Sequence, residues 1–283
     1  QLLAGIMTAL TAVMPAVNVY VDTAAASEIL TSNETVQTET NIDKTTALQN
    51  SVKLIDMLST EASGKNIMFS PTSLNFALGM IAEGAKGETK EVLSAYLGTS
   101  DFASYAKEYL DKIQAYNTED ESYGYQSKVK IADAVWMDDG LTLQEKFKNT
   151  VSNSFGAEVK AVDFSAAEET CDIINSWCDK NTEGLIPKII TPDLINDNTG
   201  LCLTNSLYFE SGWSGEPWNV SDTEENFGKI EKTKYMTCTG DQYYENDKST
   251  AFGRDYANGL SFIGILPNDE GDFNLEDLDI GGL

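Results

Sequence analysis

The chain has 283 residues, 41% of them hydrophobic, which is enough for one large domain or two small ones with a substantial core. Nineteen Lys and Arg stand against 45 Asp and Glu, a net charge of -26 that repels nucleic acid and anionic membranes, and no run of basic residues reverses it. There is no histidine, which excludes Ser-His-Asp and Cys-His hydrolase chemistry and removes the commonest neutral metal ligand.

In chain order, Leu2 to Val21 is apolar but interrupted by Thr8, Thr11, Pro15 and Asn18, and small residues Thr23, Ala24, Ala25, Ala26 and Ser27 follow. Residues 1–26 therefore read as the remnant of an export signal, with a membrane anchor as the competing reading. Ser27 to Asp43, rich in Ser, Thr, Asn and Glu, reads as a polar linker over 27–43. A folded domain is expected over 44–283.

Leu48, Val52 and Ile55 open the domain at helical spacing. Ser70 then offers an N-cap hydroxyl, Pro71 suits the first helical position, and Leu74, Ala77, Leu78 and Ile81 form the expected apolar stripe up to Gly84. A second helix is expected over Thr89 to Leu97, with Leu93, Tyr96 and Leu97 inward and Gly98 just past its end. Val129, Ile131, Val135 and Met137 alternate with Ala132, Ala134 and Trp136, which predicts a strand running into the Asp138-Asp139-Gly140 turn. Phe147, Val151 and Phe155 mark a helix ending at Gly156, and a short strand follows through Val159 to Phe164.

Ser165 and Glu168 have the spacing of a capping box, opening a helix with Cys171, Ile174, Trp177 and Cys178 on one face and Gly184 at its close. Leu201 to Phe209 is apolar on both faces, as in a strand deep within a sheet. Its alternation places Asn205 in the row of Leu203 and Leu207; periodicity alone leaves open whether that amide is buried or faces solvent near a strand end. Leu260 to Leu266 is a further strand and Pro267 to Gly271 a turn.

Chemical motifs are few. The four cysteines, Cys171, Cys178, Cys202 and Cys238, form no C-x-x-C pair and read as small buried apolar residues. Ser104 and Lys107 make an isolated S-x-x-K match, and Gly212, Ser214 and Gly215 resemble a nucleophile elbow with one residue missing and no histidine to serve it.

The block Asn66-Ile67-Met68-Phe69-Ser70-Pro71-Thr72-Ser73-Leu74, continuing to Gly84-Ala85-Lys86-Gly87-Glu88-Thr89, resembles the serpin family. So do Ile131 to Met137, Gly156-Ala157-Glu158-Val159, Ile174-Asn175-Ser176-Trp177, Thr204-Asn205-Ser206-Leu207-Tyr208-Phe209 and Gly212-Trp213, in order along the chain. The resemblance implies an α+β serpin fold, helices packed around large mixed sheets, in a secreted, microbial-type member. It implies that Asn205 joins a buried hydrogen-bonded shutter with Ser70 and Ser73, and that Trp213 marks the breach, where strand insertion starts.

The implied activity is inhibition of a serine or cysteine endopeptidase by a suicide mechanism, in which a cleaved reactive loop inserts into sheet A; a non-inhibitory binding or chaperone-like member is the alternative. The same resemblance implies a monomer with no cofactor, no catalytic residues and no small-molecule substrate; the net charge argues against a nucleic-acid partner, and the signal-like 1–26 stretch places the protein outside the cell or tethered at its surface. The reactive loop and the closing strands are expected beyond Leu283.

Overall fold

The computed structural model describes residues 8–15, 44–62, 67–120, 125–216, 218–227, 230–238 and 242–268. The elements are β1 (Thr8–Pro15), α1 (Lys44–Ala62), α2 (Pro71–Gly84), α3 (Glu88–Leu97), α4 (Phe102–Ile113), β2 (Thr118–Asp120), β3 (Tyr125–Asp138), α5 (Glu145–Ser154), β4 (Glu158–Val162), α6 (Ala167–Asn181), β5 (Thr199–Glu210), β6 (Asn219–Phe227), β7 (Ile230–Thr237), β8 (Gln242–Glu245), β9 (Ser249–Asp255) and β10 (Ser261–Pro267). The described residues fall into two compact units, one within 5–115 and 129–209, the other within 116–128 and 210–283.

The first unit is built on a mixed sheet ordered β1-β5-β3, with β4 added parallel to the end of β3. Period-2 alternation divides its side chains between two cores. Val135 and Leu203 face a cluster with Phe76, Met80, Leu93, Leu97, Phe102, Val151 and Phe155, contributed by α2 to α5 and the residue after α5. Ala134, Trp136, Val162 and Cys202 face the opposite cluster, beneath Cys171, Ile174, Trp177 and Cys178 of α6. Both faces of β5 are thus covered, which is why its sequence reads as a continuous apolar run.

Helix ends follow local chemistry. The Ser73 amide donates to Ser70 Oγ at 3.1 Å, capping α2 at the position ahead of Pro71. Gly98, at φ 69°, ends α3 in the left-handed conformation that a side chain disfavours. The inward face of α2 is only partly the expected stripe: Ala77 is buried, with Ser73, Phe76 and Met80 beside it, and half-buried Leu78 and Ile81 pack against the same core; Leu74 is also half-buried. Gly79 decides this orientation, because a Cβ there would stand 2.2 Å from the Phe102 ring, which lies against the helix backbone.

Two further differences concern helix starts. No capping box forms at α6: Ala166 is the N-cap, and the Ser165 amide and hydroxyl both donate to Asp163 Oδ1, at 2.9 and 2.6 Å. Asp163 thereby takes the hydroxyl that would have served the helix, while its carbonyl accepts from Thr170 Oγ1 at 2.6 Å. Helix α4, absent from the sequence reading, is capped by Asp101, whose Oδ1 accepts from the Ser104 amide at 3.2 Å.

The second unit is formed of strands. β6 and β7 make a two-stranded antiparallel ribbon with exposed Val220, Phe227, Ile230 and Met236, and β10-β9-β8 make a three-stranded antiparallel sheet. The 27–43 linker and most of the 1–26 stretch lie outside the described residues, as do Gly281 to Leu283 and most of the Pro267–Gly271 turn. The exception within 1–26 is β1, which pairs antiparallel with β5 from Thr8↔Leu207 to Pro15↔Thr199. Among the described residues no helix is long and apolar enough to cross a membrane.

Candidate functional site

Adjacent strands β3 and β5 bring together the most unusual polar groups of the first unit. Asn205 is 0% exposed and Asp133 1%, so the amide left open by periodicity is buried. Asn205 Nδ2 donates to Asp133 Oδ1 at 2.9 Å. Asp133 Oδ2 and Asn205 Oδ1 are also buried and have no hydrogen-bond partner, and the same holds for Ser73 Oγ of α2, while the equally unpaired Ser206 Oγ lies on the opposite face of β5. The unpaired Asp133 Oδ2 and Asn205 Oδ1 are acceptors, so an added N–H or O–H group would find ready partners there.

Burial pushes the Asp133 carboxyl up to about 7, and the hydrogen bond from Asn205 offsets part of that rise. A carboxyl in this position is neutral in mildly acidic solution and itself becomes a donor. Asn205 pairs with Asp133 and not with the serines that the family resemblance joins to it. Ser70 is engaged in capping α2, and Ser73 is buried on that helix with its hydroxyl unpaired.

On the opposite face of the same strands, Trp136 Nε1 donates to Thr204 Oγ1 at 3.0 Å, and both residues are fully buried. Polar groups therefore lie on each side of β5 within otherwise apolar cores, and each hydrogen bond ties β5 to β3 by side chains in addition to the backbone.

Trp213 sits in the second unit. Its ring stacks on Tyr256, centroids 4.4 Å apart and planes at 17°, and meets Trp218 and Phe262 edge-on at 5.5 and 5.9 Å. An isolated bridge joins Trp213 to Tyr256, and the Ser214 amide donates to Asp255 O at 2.9 Å. Arg254, 3% exposed, lies over this aromatic group.

Nothing in the remaining motifs supports catalysis. Ser104 and Lys107 lie exposed on α4. Burial raises the Cys178 thiol to about 11 and that of Cys202 to about 12, so neither supplies a thiolate at neutral pH. Cys238 corrects the expectation of four buried cysteines: it is half-buried, while Cys171, Cys178 and Cys202 are buried.

The sequence reading missed two residues here, Asp133 and Arg254. Asp133 could have been found, since it stands in the same alternating row as Ile131 and Val135. Arg254 carries a compositional signal, being the only arginine in the chain.

A statistical model of the serpin family, described as Serpin (serine protease inhibitor), matches residues 46–279. The chain belongs to the serpin family. Serpin-ZXA of rice, Oryza sativa subsp. japonica, is 33% identical over 195 residues, covering 66% of this chain and 49% of that protein. Serpin-ZX of Arabidopsis thaliana is 30% identical over 215 residues, covering 72% and 54%. This serpin chain thus spans about half the length of the curated relatives it matches. The fold is shared with the thermophilic serpin tengpin in its latent state, at a TM-score of 0.68 and 24% identity over 85% of this chain and 66% of that one. Emu ovalbumin, Dromaius novaehollandiae, has a TM-score of 0.69 at 18% identity, over 83% and 68%.

Proposed function

We propose that the protein carrying this chain inhibits a serine or cysteine endopeptidase as a suicide substrate. The protease cleaves an exposed loop, and before the acyl-enzyme hydrolyses, the loop adds to the sheet beside β5 and carries the enzyme with it. The single observation in favour is the edge of β5. Along Thr199 to Leu207 this edge pairs with an added antiparallel strand, Thr8–Pro15, and removal of the 1–26 stretch on export would take that strand away and leave the edge open for the loop. The shutter role of Ser70, Ser73 and Asn205 and the breach role of Trp213 belong to the same proposal, with Asp133 added as the partner of Asn205. The inhibitor acts as a monomer on a protein substrate and needs no cofactor.

The test is incubation of the intact protein with proteases of trypsin-like, chymotrypsin-like, elastase-like, subtilisin-like and papain-like specificity. A complex that survives boiling in detergent, with a cleaved inhibitor that melts well above the native form, is the expected result. Cleavage with neither the complex nor the rise in melting temperature would leave the non-inhibitory binding reading in its place.

Location is a second part of the proposal. The apolar stretch from Leu2 to Val21, followed by small residues, supports export to the extracellular space or a tether at the cell surface. The named relatives are plant proteins, so they lend nothing to a microbial origin. N-terminal sequencing of protein recovered from the medium decides between removal near Ala26, retention of the stretch, and no export at all.

A further inference from the structure

We propose that Arg254 and Trp218 form a binding site for a carboxylate or related oxoanion, independent of protease inhibition. Arg254 is the only arginine among 283 residues, and it is 3% exposed. A guanidinium cannot shed its proton to ease burial as a lysine or a carboxyl can. Its surroundings go only part of the way toward compensating it. The guanidinium carbon lies 4.7 Å from the Trp218 ring centroid and 5.3 Å from that of Trp213, so two indole faces flank the charge. Its Nη2 donates to the backbone carbonyls of Glu216 and Ser214.

What remains is a set of donors without acceptors. Arg254 Nη1 is buried with no partner, and so is the indole Nε1 of Trp218 beside it. Among the described residues no carboxylate pairs with the arginine. Asp255, its chain neighbour, instead accepts from Ser261 Oγ at 2.6 Å, and the Glu216 side chain is exposed. Unpaired N–H groups around a fixed positive charge select an anion, and the planar fork of the guanidinium favours one that presents two oxygens.

The side of the site toward solvent is the exposed bend Ser214-Gly215-Glu216, whose Ser214 and Glu216 carbonyls accept from Nη2. Gly215 turns the bend at φ 73°, a left-handed conformation that favours glycine, and a Cβ there would meet nothing within 4 Å.

A net charge of -26 repels anions in general, so a saturable response to one cannot arise from diffuse attraction. The experiment follows the indole N–H signals of the intact protein by NMR during titration with acetate, then with inorganic phosphate, against chloride at fixed ionic strength. The expected result is a saturable shift of the Trp218 signal, assigned through Trp218→Phe, while Trp136 and Trp177 stay unmoved. Arg254→Met should abolish the shift, and Arg254→Lys, which keeps charge but not the fork, should weaken binding about tenfold or more.

A Trp218 signal already displaced before any addition, and returning as the pH is lowered through the carboxylate range, would show that a carboxylate of the protein itself supplies the group. A Trp218 signal at the position of an unbonded indole, indifferent to every anion and to pH, would overturn the proposal. That last outcome is read on the wild-type protein, so it stands even if Arg254→Met does not fold.

Discussion

Among the described residues the two units each bury one side chain of a formally charged type, a carboxyl in one and a guanidinium in the other, without a counter-charge, and they resolve the difficulty in opposite ways. In the first unit Asp133 meets a single amide donor from Asn205, and burial raises its carboxyl to about 7. In the second, Arg254 meets two indole faces and two carbonyls. A carboxyl can take up a proton and become neutral, so one hydrogen bond is enough to hold it in an apolar core. A guanidinium stays charged at any pH the fold survives, so its shell must supply both acceptors and aromatic faces. The cost of burying the acid therefore varies with pH, and that of burying the base does not.

The comparison is sharpened most by Asp133→Asn. With its folded-state value raised from 3.8 to about 7, Asp133 binds more protons in the folded chain than in the unfolded one across that window. Stability is therefore lost as pH rises from about 4 to about 7, then levels off. The amide removes this slope while keeping the shape of the side chain. We expect Asp133→Asn to stabilise the protein by about 2–4 kcal/mol at pH 8 and to change little at pH 4. Denaturant unfolding at both pH values checks this; identical pH profiles for the two proteins would show that burial does not hold the acid protonated.

Next in size is Asn205→Ala, which takes away the one amide that Asp133 accepts from. A loss of about 1–3 kcal/mol is expected, greater at pH 8 than at pH 5 because an ionised carboxylate depends more on its donor. Easier opening of the sheet at β5 should also give more polymer on mild heating. Unchanged melting and no added polymer would argue against any role of Asn205 in holding the strands together.

Trp136→Phe tests the opposite face of β5, where both partners are neutral. It leaves the fully buried Thr204 hydroxyl without its indole donor, at a cost of about 1–2 kcal/mol. This loss should be the same at pH 5 and pH 8, and a pH-dependent one would mean that the two faces are not separate. The smallest effect is expected from Ser70→Ala, about 1 kcal/mol, because only the cap of α2 is lost. A loss several times larger, again followed by unfolding, would mean that Ser70 holds the strands as well as the helix.

Much of this was written in local pattern. Ser70 and Pro71 start α2 as their chemistry dictates, Gly98 ends α3, and the apolar alternation of β3 and β5 marks central strands, because capping and burial periodicity act within a few residues. Family membership was legible as well, in short blocks around Ser70, Ile174 and Asn205 that recur in order. Local pattern misled where a neighbour competed for the same atom: Asp163 captured the Ser165 hydroxyl, and no capping box formed at α6.

Which face of α2 turns inward was decided by the Phe102 and Phe155 rings, which come from elsewhere in the chain and need the bare backbone of Gly79. The tertiary structure likewise chose Asp133 as the partner of Asn205, 72 positions away, and set Arg254 between Trp213 and Trp218. Sequence alone determined which residues were apolar enough to be buried. It could not determine how the polar ones among them would be paired, because hydrogen bonds and cation–aromatic contacts act over a few ångströms in space, and only the folded chain fixes those distances.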